Sequence, residues 1–241
     1  MKLIDTVRAL VEERDGRIEK SRALAVEIPG ACGLSIGILG AKFTLDQVDL
    51  EGTLFRNTKN PPNMIECLRT AAASEPRLQV AAIYASQIQS EILFRCNVDS
   101  SNLDAAYHIS KILRLKSGRR FIVPAYSSLS WDLLFAEDRG GVEIGALEPI
   151  VPGFDDQPQV ITMTDVSWCV KNSVSTIEIL ESKSSRRFGL ALELATRWHL
   201  ENSARARFVN IWTAIDALFG RREYNVAVNL SARVIVSHGV V

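Results

Sequence analysis

Arg207-Phe-Val-Asn-Ile-Trp-Thr-Ala-Ile-Asp-Ala-Leu-Phe-Gly220 is the stretch on which the fold reading turns. Phe208, Ile211, Trp212, Ile215, Leu218 and Phe219 recur at the spacing that lines one stripe of an α-helix. Gly220 then offers the left-handed residue that stops such a helix. Upstream, Phe188, Ala191, Leu192, Ala195 and Trp198 make a second stripe, and Asn202-Ser203 breaks one helix and recaps the next. Two amphipathic helices with so short a break are expected to fold back as an antiparallel hairpin. Downstream, Val226, Leu230 and Val234 mark a further helix over 226–237.

Towards the N-terminus the texture changes. Residues 164–181 read as a helix started by Thr164-Asp165, and Gln159–Met163 as a short strand. The prolines, glycine and paired acids of 151–158 read as a linker. Before it, residues 2–14 and 64–74 read as helices, and Asn102 and its neighbours start another that Gly118 ends. Residues 86–97 alternate as a half-buried strand, with Ile88, Ser90, Ile92 and Phe94 inward. Further strands are expected over 43–55, over 120–123 before Pro124, and over 142–147. The expected class is α+β: a mixed domain over 1–150, the linker, and a helical domain over 159–241.

The 241 residues suffice for a substantial core, with 47% apolar and 23% charged residues and no formal net charge. No global field therefore recruits a polyanion. Residues 182–241, however, hold nine Lys/Arg against four acids, a local excess of five. Solvated helix faces explain such a bias, and so does a surface for nucleic acid. Cys32, Cys67, Cys96 and Cys169 lack ligand spacing and read as free thiols of a reducing, cytoplasmic compartment. The N-terminus carries Glu12-Glu13 and does not read as a signal peptide; no apolar run reaches spanning length.

The segments Arg187-Phe-Gly-Leu-Ala-Leu-Glu and Arg207 to Phe219 together resemble the HEPN superfamily, in particular the helical domains of anti-phage, abortive-infection proteins. The pattern RF-x-x-x-WTA, then an apolar residue, an acid and ALF, fits Arg207 to Phe219, with Asp216 as the acid. The resemblance covers residues 186–241. It implies a helical bundle that often dimerises and cleaves RNA without metal or cofactor, using Arg-x4-6-His. Arg233 and His238 fit that motif by spacing. Val234 stands where relatives commonly have a polar residue, and fewer residues than usual separate Phe219 from Arg233. On a second register Arg233 belongs to an intervening helix, the motif lies beyond Val241, and the chain is a truncated relative.

The chemistry suits the residue types. Removing a 2′-hydroxyl proton needs a base with a pKa near neutrality, and the phosphorane oxygens need a cation. His238 would act as base or acid and Arg233 would grip phosphate oxygens with its planar fork. Five residues at ~100° each set the two side chains roughly 140° apart on a straight helix. They converge if the helix ends between them, or if a second subunit completes the site. The bland alternative is a helix stop, with His238 in the last turn before Gly239 and Arg233 paired to a supporting Asp216. Arg186, Arg187, Arg205, Arg207, Arg221 and Arg222 are the candidate RNA contacts, in a nuclease or in a non-catalytic RNA-binding or oligomerising module. The expected partners are RNA and a second copy through the helical domain, with no membrane, cofactor or metal. His199 reads as a surface or boundary histidine, and His108, beside Tyr107, has no carboxylate or second histidine at ligand spacing. The Gly37–Thr44 run lacks phosphate-loop spacing, Ser127-Ser128-Leu-Ser130 lacks the glycines of a nucleophile elbow, and Asp155-Asp156 reads as solvated.

Overall fold

The computed structural model describes residues 32–62, 86–134, 143–148, 158–182, 185–201 and 203–219, and residues 12, 16, 19 and 20 besides. The described elements run β1 (Cys32–Ile38), β2 (Ala41–Phe43), β3 (Gln47–Leu50), β4 (Thr53–Asn57), β5 (Ser90–Phe94), α1 (Ser100–Ser117), β6 (Ala125–Leu129), β7 (Ile144–Ala146), β8 (Gln159–Ile161), α2 (Met163–Glu181), α3 (Arg186–Arg197) and α4 (Ala204–Phe219). Single 3-10 turns lie at Trp131–Leu133 and Trp198–Leu200. The class is α+β. The expected helices over 2–14, 64–74 and 226–237, and the linker apart from Pro158, lie outside the described residues.

Six strands form one antiparallel sheet in the order β3-β4-β5-β1-β6-β7. Its two central strands are apolar on one face because alternate residues share a face. Leu34, Ile36 and Ile38 of β1, with Ile92 and Phe94 of β5, meet Ala106, Ile112 and Leu113 of α1. Val166 and Cys169 of α2 complete the same core. Full burial of each large apolar side chain contributes about 1.5–3 kcal/mol. A parallel pair, β2 with β8, adds Phe43 and Ile161. The segment read as a helical domain from residue 159 thus contributes a strand and a helix to the core of the first part.

The sequence reading made β5 half-buried, and the structure corrects this: all five residues are buried, Glu91 included. The second face is covered by the Trp131–Leu133 turn and carries ions. In the sheet register Arg56 lies opposite Glu91, and its Nε donates to Glu91 Oε1 at 2.6 Å. Ser35 and Ser130 hydroxyls and the Trp131 amide donate to the same carboxylate, at 2.6, 2.6 and 2.9 Å. Arg56 also pairs with Asp132, whose carboxylate accepts the Lys59 and Asn60 amides. Burial pushes the Asp132 carboxyl above its ordinary value, against the pull of Arg56. Trp131 reaches this layer only because Gly37 has no side chain: a Cβ there would sit 2.8 Å from the indole nitrogen.

Two boundaries move. The strand expected over 120–123 is reduced to a single bridge between Leu39 and Ile122, and β6 begins after Pro124 instead. A proline has no N–H to give a ladder and is tolerated just ahead of a strand. Helix α2 is capped by Thr162, not by the Thr164-Asp165 pair: its hydroxyl accepts the Asp165 amide, and Asp165 returns a bond to the Thr162 amide. Gly118 does close α1, at φ 60°, with its N–H on the Arg114 carbonyl.

Candidate functional site

Helices α3 and α4 pack against each other across a connection of a few residues and form a hairpin. Arg207 secures the bend, its Nε donating to the Glu201 carbonyl at 2.7 Å. Ala214 is the one residue of α4 that is fully buried. Phe208 is 65% exposed and Trp212 46%, and their rings stack with centroids 6.2 Å apart. Val209, Ile211 and Leu218 are exposed as well. Much of the stripe that the periodicity assigned inward therefore faces solvent. The physical reason is that α4 is apolar on more than one side and packs chiefly along α3 among the described residues.

The arginines separate. Arg186 and Arg187 open α3 with exposed side chains, and Arg205 is exposed in the first turn of α4. Twelve residues of α3 at 1.5 Å each place the first pair about 17 Å from the bend where Arg205 stands. Arg207 is half-buried and committed to the backbone. Asp216 is half-buried, and its Oδ1 is buried without a hydrogen-bond partner among the described residues. Arg221, Arg222, Arg233 and His238 lie outside the described residues.

The hairpin is seated on α1 through a buried ion pair. Arg114 grips Glu148 with both terminal nitrogens, at 2.9 and 2.7 Å, and stacks its guanidinium over Phe121. Glu148 also accepts the Tyr107 hydroxyl and the Val123 amide, at 2.9 and 2.8 Å. The Tyr107 phenol is held well above its ordinary value, first by burial and then by the charge on Glu148. From this node Arg114 Nη1 reaches the Thr196 carbonyl of α3, 3.4 Å away. A guanidinium anchored in the first core thus holds the helical hairpin.

Beside this node α1, α2 and α3 line a half-open cleft of about 260 Å³. Its polar groups are His108 and Lys111 of α1, Glu181 of α2 and Glu193 of α3. His108 Nδ1 is buried and has no hydrogen-bond partner among the described residues. Burial, then the Lys111 charge, hold His108 below the ordinary imidazole value, against the pull of Asp104 and Glu181. Burial also lowers Lys111, whose ammonium lies 4.2 Å from the centre of the Tyr107 ring. The sequence reading passed over His108 for want of a ligand set, although Asp104 stands one helical turn before it. The cleft's carboxylates arrive from two other helices, and the local signals were Asp104 one turn before and Lys111 one turn further on.

Among the described residues no group of three or more His, Cys, Asp or Glu side chains could hold a metal ion. No described helix is long and apolar enough to cross a membrane. Cys169 is buried, its thiol pushed up to about 12, and Cys96 is a half-buried free thiol. No family model matches this sequence, and no curated protein or solved structure matches it either.

Proposed function

We propose that the chain is a HEPN-like protein that cleaves RNA without a metal, within a toxin or phage-defence system. His238 takes the 2′-hydroxyl proton, the freed oxygen attacks the neighbouring phosphorus to close the cyclic phosphate, and the bond to the 5′-oxygen breaks as that oxygen takes a proton from solvent water. Arg233 stabilises the charge on the phosphorane oxygens. The α+β core restrains or senses.

The observation that carries the reading is α4. Arg207 to Phe219, the longer of the two segments on which the resemblance rests, lies in one unbroken helix, Ala204–Phe219, with a stacked aromatic surface at Phe208 and Trp212. Exposed apolar surface of this kind suits a helix that pairs with a second copy.

Incubation of the chain with RNA in EDTA tests the reading. Cleavage is expected to persist, to leave cyclic phosphate ends, and to be lost in His238→Ala with the circular dichroism unchanged. Cleavage that needs a divalent cation, or that survives the substitution, overturns it.

A second reading, a non-catalytic RNA-binding or oligomerising module, draws on the exposed Arg186, Arg187 and Arg205. It expects binding that falls steeply with salt and no cleavage.

A further inference from the structure

The cleft between α1, α2 and α3 is lined by none of Arg186, Arg187 and Arg205, and what it takes can be argued from its walls. At about 260 Å³ it suits a compact molecule, being close to the lower end of ligand pockets at ~300 Å³. Leu180 and Leu192 supply apolar sides. Gly189 adds room: a Cβ there would meet only Leu180 Cδ2, at 3.6 Å. His108 and Lys111 stand one helical turn apart on α1, so both present to the same space. Glu181 and Glu193 face them from the other two helices.

The balance of groups narrows the occupant. Lys111 and Arg197, which pairs with Glu193 at 2.8 Å, balance the two carboxylates, and the lowered His108 adds no charge near pH 7, so the walls offer no net charge to a free phosphate. A bare metal ion finds no adequate ligand group among the described residues. The arrangement favours a neutral, flat molecule that carries N–H donors beside a carbonyl. Carboxylates accept the donors, the ammonium or imidazole meets the acceptors, and the leucines cover the faces. Guanine presents such an edge, with N1–H and N2–H2 next to O6; adenine has no carbonyl.

We propose that this cleft is a nucleobase site selective for a guanine-type edge, filled by a free guanine nucleotide or by an unpaired guanine of RNA. The proposal stands without the Arg233 and His238 reading. An occupied cleft would tie α1 to α3 alongside the Arg114–Thr196 contact, giving the α+β core a ligand-dependent hold on the hairpin.

Calorimetric titration of the full chain with guanosine, guanosine monophosphate, adenosine, ribose 5-phosphate and a short single strand containing guanine tests it. Saturable binding of guanosine or of the strand is expected, with adenosine and ribose 5-phosphate weaker by about tenfold or more. Guanosine and its monophosphate binding alike mark a free ligand; binding confined to the strand marks RNA. Glu193→Gln and Lys111→Met should each weaken the interaction about tenfold. Gly189→Leu fills the space without touching a polar group, favours the helix, and should abolish binding. Absence of saturable binding by any guanine ligand, equal binding of adenosine, or undiminished binding by Gly189→Leu would overturn the proposal.

Discussion

Arg114 joins two parts of the molecule with one side chain, and the energetic consequence is direct. The Arg114–Glu148 pair is nearly sealed from water, with side chains 2% and 1% exposed. Removing one partner leaves the other buried and uncompensated, a loss of about 3–5 kcal/mol. Arg114→Met should lower the urea-unfolding free energy by that amount, and adding Glu148→Leu should recover a large part. A single-variant loss below about 1 kcal/mol would refute the account of this node. His108 makes a second residue-level prediction. Facing Lys111 and Asp104 on its own helix, Glu181 on α2 and Glu193 on α3, it sits below the ordinary value of 6.5. The unfolded chain therefore takes up the proton first as pH falls. Its contribution is full above 6.5 and is lost as pH falls through the folded value. Melting temperatures between about pH 7.5 and 5 should fall less steeply in His108→Gln than in the parent chain. Equal slopes would contradict this. Neither the ion pair nor the cleft was legible in the sequence. Arg114, Glu148, Glu181 and Glu193 become neighbours only through the packing of separate elements, and no local period encodes that.

Elements were more legible, because period and punctuation are local. Gly118 marked the end of α1, the alternation over 86–97 marked β5, and the stripe from Phe188 marked α3. What the patterns missed was the number of faces each element covers. Glu91 reads as a solvent residue in β5, yet the register places Arg56 opposite it and the Trp131–Leu133 turn above. The stripe on α4 fails in the opposite sense: periodicity reports an apolar face, not the identity of what covers it. If that face pairs two copies, Trp212→Glu should change the unfolding free energy of the dissociated chain by no more than about 0.5 kcal/mol. The same variant should shift sedimentation towards the monomer. An unchanged association state, or a loss of several kcal/mol, would mean that Trp212 serves the fold of a single chain.

For the whole molecule, the sequence separates a mixed part over 1–150 from a helical part over 159–241, and β8 and α2 cross that division to join the first core. The connection between them was not readable. β8 is three residues long, and its partner β2 lies more than a hundred positions earlier in the chain. Short parallel pairs leave no periodic trace, and α2 looked like the first helix of a bundle until Val166 and Cys169 were found in the sheet's core. Seen together, the first core reaches through α2 and Arg114 to a hairpin whose outer helix exposes aromatic surface. If two such hairpins meet and a second subunit completes the proposed site, Arg233 of one chain and His238 of the other share a phosphate. Mixing Arg233→Ala with His238→Ala chains, after dissociation and reassociation, measures this directly. Each variant alone should leave RNA intact, while the mixture should regain about a quarter of the parent activity, since half the pairs are mixed and each holds one whole site. Intact RNA in the mixture, with the parent chain active, would contradict a site shared between two chains.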